Sequence, residues 1–347
     1  MPRALSSLDE IRIDEFTNGQ IFESGFVQLN SSIRRFVDPS IPIKVAVIGV
    51  GHLGQHHARL LASMDGVELA GVCDSNRARA EEIGAKFGAR VFEDSSQLLG
   101  HVDAVTVAVP TVSHVDVALP FLQAGIATLI EKPIATSVAA ADRLVEAAQR
   151  GGATLATGHT ERFNPAVAAA LPILSEPRFI EIHRLGTFPE RSLDIDVIFD
   201  LMIHDLDLLL RVVRSEVEGI EAVGVNVLTP KADIANARLR FASGCIANVT
   251  ASRISRERVR KARFFQNDAY VSIDYAAQEL EVFRLVKNGP RPLIHGGKVT
   301  VTNEEPLRRE LADFVEAVRT GRQPEVTGRD GRVALELATR VAETMGL

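Results

Sequence analysis

Ile43-Lys44-Val45-Ala46-Val47-Ile48-Gly49-Val50-Gly51-His52-Leu53-Gly54 is the stretch on which the fold of this chain turns. Six of the seven residues from Ile43 to Gly49 are apolar or glycine, mostly β-branched, as in a central parallel strand buried on both faces. Gly49, Gly51 and Gly54 then follow the G-x-G-x-x-G spacing, and the run from His56 supports a helix. The first glycine permits a tight turn, the second lets backbone approach a pyrophosphate, and the third lets helix and strand pack closely. A second apolar strand, 67–73, ends in Asp74, twenty residues past Gly54. A carboxylate there accepts hydrogen bonds from a ribose diol and repels a 2′-phosphate. Gly49, Gly51, His52, Leu53, Gly54 and Asp74 are therefore the expected cofactor-binding residues, with NAD favoured; the nearby Arg77 keeps NADP as the alternative.

The 347 residues exceed one small core and suggest two domains after an N-terminal extension. A hydrophobic fraction of 46% with 24% charged residues is that of an ordinary globular protein. With a net charge of −6 the chain has no electrostatic footprint for nucleic acid or an anionic membrane. Its two cysteines imply no disulfide framework, no apolar run reaches the roughly 18 residues of a membrane span, and no signal peptide is evident. The cytoplasm is the expected compartment.

Residues 1–40 carry scattered apolar side chains without periodicity, and irregular chain or short strands lying on a domain or a partner subunit are expected there. Residues 41–158 alternate strand and helix, the pattern of a doubly wound parallel sheet. Residues 159–347 change to consecutive strands between about 217 and 302, preceded by helices near 164–174 and 196–213 and a strand at 178–186. Short connections between those strands imply a large, mainly antiparallel sheet. Terminal helices near 306–320 and 329–345 would cover a face or return to the first domain. The expected fold is thus α/β, a Rossmann sheet followed by an α+β domain for substrate binding and oligomerisation.

In open α/β sheets ligands bind beyond the C-terminal strand ends. Pro110, Thr111, His114, Glu131 and Lys132 join the glycine loop there as expected cofactor-site residues. Lys132, between a buried strand and a proline-fixed turn, is suited to bond a hydroxyl and stabilise a developing alkoxide; a plain salt bridge to Glu131 is the alternative. In the otherwise apolar helix at 196–213, Asp196, Asp200, His204, Asp207 and Arg211 form one polar face. One turn apart, Asp200 would orient the His204 imidazole, making it a general base for a sugar or alcohol hydroxyl. A purely structural Asp–His pair competes with that reading, and no metal-ligand spacing is present. Between the two halves, Arg162 has the donor fork to clamp an anionic or polyhydroxyl substrate, with His159 and Asn164 adding hydrogen bonds. A hinge whose polar groups satisfy backbone is the equal alternative.

These motifs together resemble the Gfo/Idh/MocA family, named for glucose-fructose oxidoreductase, inositol dehydrogenase and the rhizopine-catabolism protein. The resemblance spans about 43–345 and rests on Val47 to Gly54, Asp74, Pro110-Thr111 with His114, Glu131-Lys132-Pro133, and Asp200-x-x-x-His204-x-x-Asp207. It implies reversible oxidation of a sugar or cyclitol hydroxyl: His204 takes the proton, Lys132 holds the same oxygen, and Asp200 positions the substrate or the histidine. Asp194, Ile195 and Asp196 stand where many members carry glycines, so the substrate-side loop differs. Segments 158–167 and 193–210 look most like the branch that oxidises the 3-hydroxyl of UDP-N-acetylglucosamine ahead of an aminotransferase in lipid A biosynthesis. A free-sugar or inositol dehydrogenase, an NAD-using glycosidase and a non-catalytic regulator are the rival readings. The family also implies a homodimer or homotetramer built on the antiparallel sheet.

Overall fold

The computed structural model describes residues 41–188, 195–286 and 293–347; the N-terminal extension and Asp194 lie outside the described residues. Six parallel strands form the first sheet: β1 (Ile43–Ile48), β2 (Val67–Cys73), β3 (Arg90–Phe92), β4 (Ala104–Val107), β5 (Ala127–Glu131) and β6 (Leu155–Gly158). Their order is β3-β2-β1-β4-β5-β6, so the chain reverses direction of travel between β1 and β4, and a crevice opens beyond the C-terminal ends of these two strands. Val45, Ala46 and Val47 are fully buried on β1, as expected of a strand covered on both faces.

Helices α3 (His114–Gln123) and α4 (Val138–Gly151) cover one face, and α1 (Gly54–Leu61) and α2 (Arg77–Phe87) the other. Their ends follow from local chemistry. Ser137 caps α4 by accepting from the Ala140 amide, and α2 and α4 stop at Gly88 and Gly152 in left-handed conformation. On the same face as α1 lies α7 (Pro306–Thr320), whose Leu311, Phe314 and Val315 complete that layer.

The second sheet holds eight strands, β7 (Phe179–Leu185), β8 (Val217–Val225), β9 (Ile234–Phe241), β10 (Ile246–Ser252), β11 (Val259–Phe265), β12 (Ala269–Asp274), β13 (Glu279–Val286) and β14 (Leu293–Val299). Its order is β14-β13-β12-β11-β7-β10-β9-β8. Short connections suggest neighbouring strands, yet β7 inserts between β10 and β11, parallel to β10 and antiparallel to β11. The strand expected at 297–302 is β14, four residues earlier.

Against one face pack α5 (Pro165–Ala170), α6 (Ile203–Val213) and α8 (Gly328–Thr344). The helix expected at 164–174 is only the short α5, and the one at 196–213 opens with a π-helical turn, Ile198–Met202. The other face carries an aromatic row, Phe179, Phe265, Tyr270 and Phe283, with successive ring centroids 5.7, 5.2 and 6.2 Å apart. Helix α8 belongs to both halves. It packs on α6 and α4, and ahead of it the Thr157 amide donates to the Val326 carbonyl at 3.2 Å. Gly331 then lies so close to β6 that a Cβ would stand 2.3 Å from Thr157 Oγ1. Among the described residues no helix is long and apolar enough to cross a membrane.

Candidate active site

The three glycines after β1 are each required for a different reason. Gly49 has φ +83°, and a Cβ there would meet the Ala108 carbonyl oxygen at 2.7 Å. A Cβ on Gly54 would fall 1.7 Å from the Gly49 carbonyl oxygen, the close approach of α1 to the turn. At Gly51 a Cβ would meet nothing within 4 Å, so only an approaching ligand accounts for glycine there. The Gly51 and Leu53 amides donate to no acceptor among the described residues, and α1 lacks a side-chain cap. An anion fits this cradle. Asp74 accepts from the Val50 amide and the Asn76 amide, both at 2.8 Å, and keeps lone pairs for a ribose diol. Arg77 is drawn away to Glu81 and Glu93 at 2.8 and 2.6 Å, so it does not stand ready for a 2′-phosphate.

The exits of β4, β5 and β6 supply the next groups. Pro110 and Thr111 begin a short 3-10 turn after β4, and the buried His114 behind them meets the Val109 and Pro133 carbonyls at 3.0 Å. Burial holds His114 below its ordinary value, outweighing those carbonyls. This imidazole fastens the Lys132–Pro133 turn, whose peptide is cis, against β4. Glu131, at the end of β5, meets His57 Nε2 at 3.0 Å instead of pairing with Lys132. Beside it α7 brings Glu310, 2% exposed, with no partner for either carboxyl oxygen. Burial, then the neighbouring Glu131 charge, pushes Glu310 well above the usual carboxylate range, opposed only weakly by the Thr160 hydroxyl.

Lys132 crosses the crevice to the π-helical turn, where Nζ donates to the Asp200 carbonyl at 2.7 Å and to Oδ1 at 3.2 Å. Asp200 thus holds the lysine. It does not hydrogen-bond His204, which departs from the pairing expected at i, i+4: the extra residue per turn of a π-helix alters the register. His204 Nδ1 is buried and without a partner, leaving Nε2 as the nitrogen that reaches the crevice. Part of this ring is exposed, but the packing around it and the Lys132 and Arg184 charges hold His204 well below its ordinary pKa. His159 stands edge-on at 6.0 Å between ring centroids, also held neutral, chiefly by burial.

The structure gives Arg162 and Asn164 internal work instead of the ligand contacts expected from the sequence. Arg162 Nε and Nη2 bond Asp207 at 2.7 and 2.6 Å, with Asp330 at 3.4 Å, and the side chain is buried. Asn164 donates to the Tyr275 carbonyl and caps α5 through the Ala166 amide. The expected polar face of 196–213 also divides: Asp196 accepts from the Ala232 amide and Arg211 turns to Glu325. Sequence reasoning passed over a buried assembly behind His204. Arg184 on β7 pairs both Asp205 oxygens at 2.7 and 2.8 Å, reaches Glu161 at 3.1 Å and lies over the Tyr275 ring. Burial alone would depress Arg184, but Asp205 and Glu161 outweigh it and raise it well above its ordinary value. Its signal was present: the inward positions of β7 read Ile180, Ile182, Arg184. Among the described residues no cluster could hold a metal ion.

A β3-β2-β1-β4-β5-β6 parallel sheet with this glycine cradle, and a lysine and histidine meeting at its crevice, defines an NAD-binding oxidoreductase. Residues 43–159 match the GFO_IDH_MocA oxidoreductase family, NAD-binding Rossmann fold, and residues 138–271 match the GFO/IDH/MocA C-terminal domain. The chain belongs to this family. It is 40% identical over 305 residues, 87% of this chain and 96% of the relative, to UDP-N-acetylglucosamine 3-dehydrogenase of Acidithiobacillus ferrooxidans. The solved structure of that enzyme, GnnA, matches with a TM-score of 0.82 at 39% identity, covering 88% of this chain and 98% of that one. Myo-inositol 2-dehydrogenase of Thermotoga maritima is 26% identical over 85% of this chain and 94% of its own. Levoglucosan dehydrogenase in complex with NADH and L-sorbose shares the fold, with a TM-score of 0.80 at 17% identity over 88% and 97% of the two chains. NAD is the cofactor, and the enzyme is a dehydrogenase acting on a CH–OH group.

Proposed function

We propose that this enzyme oxidises the 3-hydroxyl of UDP-N-acetylglucosamine, with Lys132 and His204 as its catalytic residues and Asp200 positioning the lysine. The observation that carries the chemistry is Lys132 bridging from β5 to Asp200, beside a neutral His204 with Nε2 free. The 40% identity to a UDP-N-acetylglucosamine 3-dehydrogenase supports the substrate.

Bound NAD supplies the hydride acceptor. Lys132 Nζ has three hydrogens, two of them directed to Asp200, and the third is available to the substrate oxygen. His204 Nε2, unprotonated at neutral pH, receives the hydroxyl proton as the carbonyl forms. The Lys132 charge stabilises the alkoxide character that develops on that oxygen. Arg184, on β7, pairs with Asp205, the residue after His204 on α6, and so anchors the turn that carries the histidine. The 3-keto nucleotide sugar so produced is a substrate for an aminotransferase.

The test is NADH formation with excess NAD across UDP-N-acetylglucosamine, free N-acetylglucosamine, glucose and myo-inositol, with a keto-sugar trap present. Turnover confined to the nucleotide sugar is expected. Turnover with a free sugar or inositol alone refutes the substrate and leaves the chemistry standing; NAD-dependent cleavage without NADH accumulation would move the enzyme to the glycosidases. Lys132→Ala and His204→Ala are each expected to retain NAD binding while losing at least about 100-fold in turnover. The reading includes a homodimer or homotetramer joined through the aromatic row of the second sheet. Light scattering on a Tyr270→Asp variant, expected to be a smaller species than the wild type, checks that contact.

A further inference from the structure

Many arginines of this protein meet carboxylates, among them Arg77, Arg162, Arg184, Arg211, Arg253 and Arg332. One short run gathers three that do not. Ser255-Arg256-Glu257-Arg258-Val259-Arg260 carries three exposed arginines where the chain enters β11. Arg256 and Arg260 have no ion pair or side-chain hydrogen bond with any described residue, and Arg258 has a single 3.3 Å contact to the Thr187 hydroxyl. Three guanidiniums against one acid, Glu257, stand out in a chain whose net charge is −6.

Their position gives the cluster a purpose. Arg260 is the cross-strand partner of Arg184, and it shares the parity of Ala262 and Phe264, the helix-covered face of β11. Arg184 is buried under α6, whereas Arg260 lies where that cover ends and is exposed. Its charge still reaches His204 and Asp205. Arg258 precedes it by two residues, about 7 Å along an extended chain. A band of positive charge therefore begins at the catalytic histidine and runs outward from it. Guanidinium forks grip phosphate oxygens in pairs, and an uncompensated cluster of them at a crevice concentrates anions there. NAD pyrophosphate has its own cradle at Gly49–Gly54, so this band is left for a second phosphorylated ligand.

We infer that Arg260 and Arg258 bind the diphosphate of a nucleotide-activated sugar, holding its anomeric side along β11 while the reacting hydroxyl meets Lys132 and His204. This assignment rests on the dehydrogenase reading above and deepens it. Each arginine supplies two donors to one phosphate, and Arg256 adds long-range attraction from the bend before the strand.

The experiment is calorimetric titration of UDP, UMP and inorganic phosphate into the enzyme–NADH complex, for the wild type, Arg258→Ala, Arg260→Ala and Arg260→Lys. UDP is expected to bind the wild type more tightly than UMP. Each alanine variant should weaken UDP by about 10- to 100-fold, the worth of a hydrogen-bonded charge contact, and narrow its lead over UMP. NADH affinity and Tm should stay unchanged, and Arg260→Lys should recover only part of the loss, because a point charge lacks the fork. If both alanine variants keep the wild-type preference for UDP, the arginine assignment is wrong and the nucleotide-sugar reading stands. If the wild type binds UDP no better than inorganic phosphate, both fall together.

Discussion

Replacing Glu310 by glutamine is expected to stabilise the protein, increasingly so as pH rises. Its carboxyl is buried on α7 with neither oxygen partnered, and burial and Glu131 together keep it protonated far into the range where a free glutamate has ionised. The folded-state pKa is raised, so the stabilisation this group contributes is complete below the unfolded value of about 4.3 and declines as pH rises toward the folded one. Over that interval the folded chain binds one proton more than the unfolded chain. The cost grows by roughly 1.4 kcal/mol for each pH unit over which that difference in bound protons persists. Glutamine keeps the shape, carries no such proton and removes the slope. Urea unfolding of wild type and Glu310→Gln at several pH values measures it; far-UV circular dichroism is the suitable probe, since the chain has no tryptophan. Taking the difference between the two proteins cancels His114, His159 and His204, whose depressed values act with the opposite sign. Two parallel stability profiles would refute the argument.

Three further outcomes follow from the site. Because His204 is held well below its ordinary value, kcat/KM should lose activity on the acid side only below about pH 6.5, and an acid limb at 7 or above would exclude His204 as the base. Gly51→Ala should fold with unchanged Tm and lose NAD affinity, whereas Gly54→Ala should lower Tm as well, since only the second Cβ collides with protein; thermal melts and NAD titration separate them. Asp207→Asn leaves the buried Arg162 half-paired and should cost about 3–5 kcal/mol in urea unfolding, with NAD affinity little changed.

The Rossmann half was legible because its signals are local. A strand buried on both faces, three glycines at fixed spacing and Asp74 all report on their immediate surroundings. Lys132 was legible too, since the end of β5 and Pro133 fix its place. What escaped depends on residues far apart. Nothing near 179–185 says that this strand will separate β10 from β11, because its partners at 246–252 and 259–265 lie about 60 to 80 residues further along the chain. Arg162 looked available until Asp207, 45 residues on, took its donor fork in a buried pair. The spacing of Asp200 and His204 assumed 3.6 residues per turn, and the π-helical turn broke that assumption at the place where Lys132 needed a carboxylate.

The docking of the chain just before α8 onto β6 also sets a timetable for synthesis. The edge of the NAD-binding sheet at 155–158 is closed by residues around 327, and Thr157 and Thr327 are 170 positions apart. At roughly 5–20 residues per second, that edge stays open on the ribosome for about 10 to 30 s after it is made. An unpaired apolar strand edge is a template for wrong partners throughout that time. The nascent first half is thus the stage most exposed to wrong pairing, and the arrival of the residues around 327 ends that exposure.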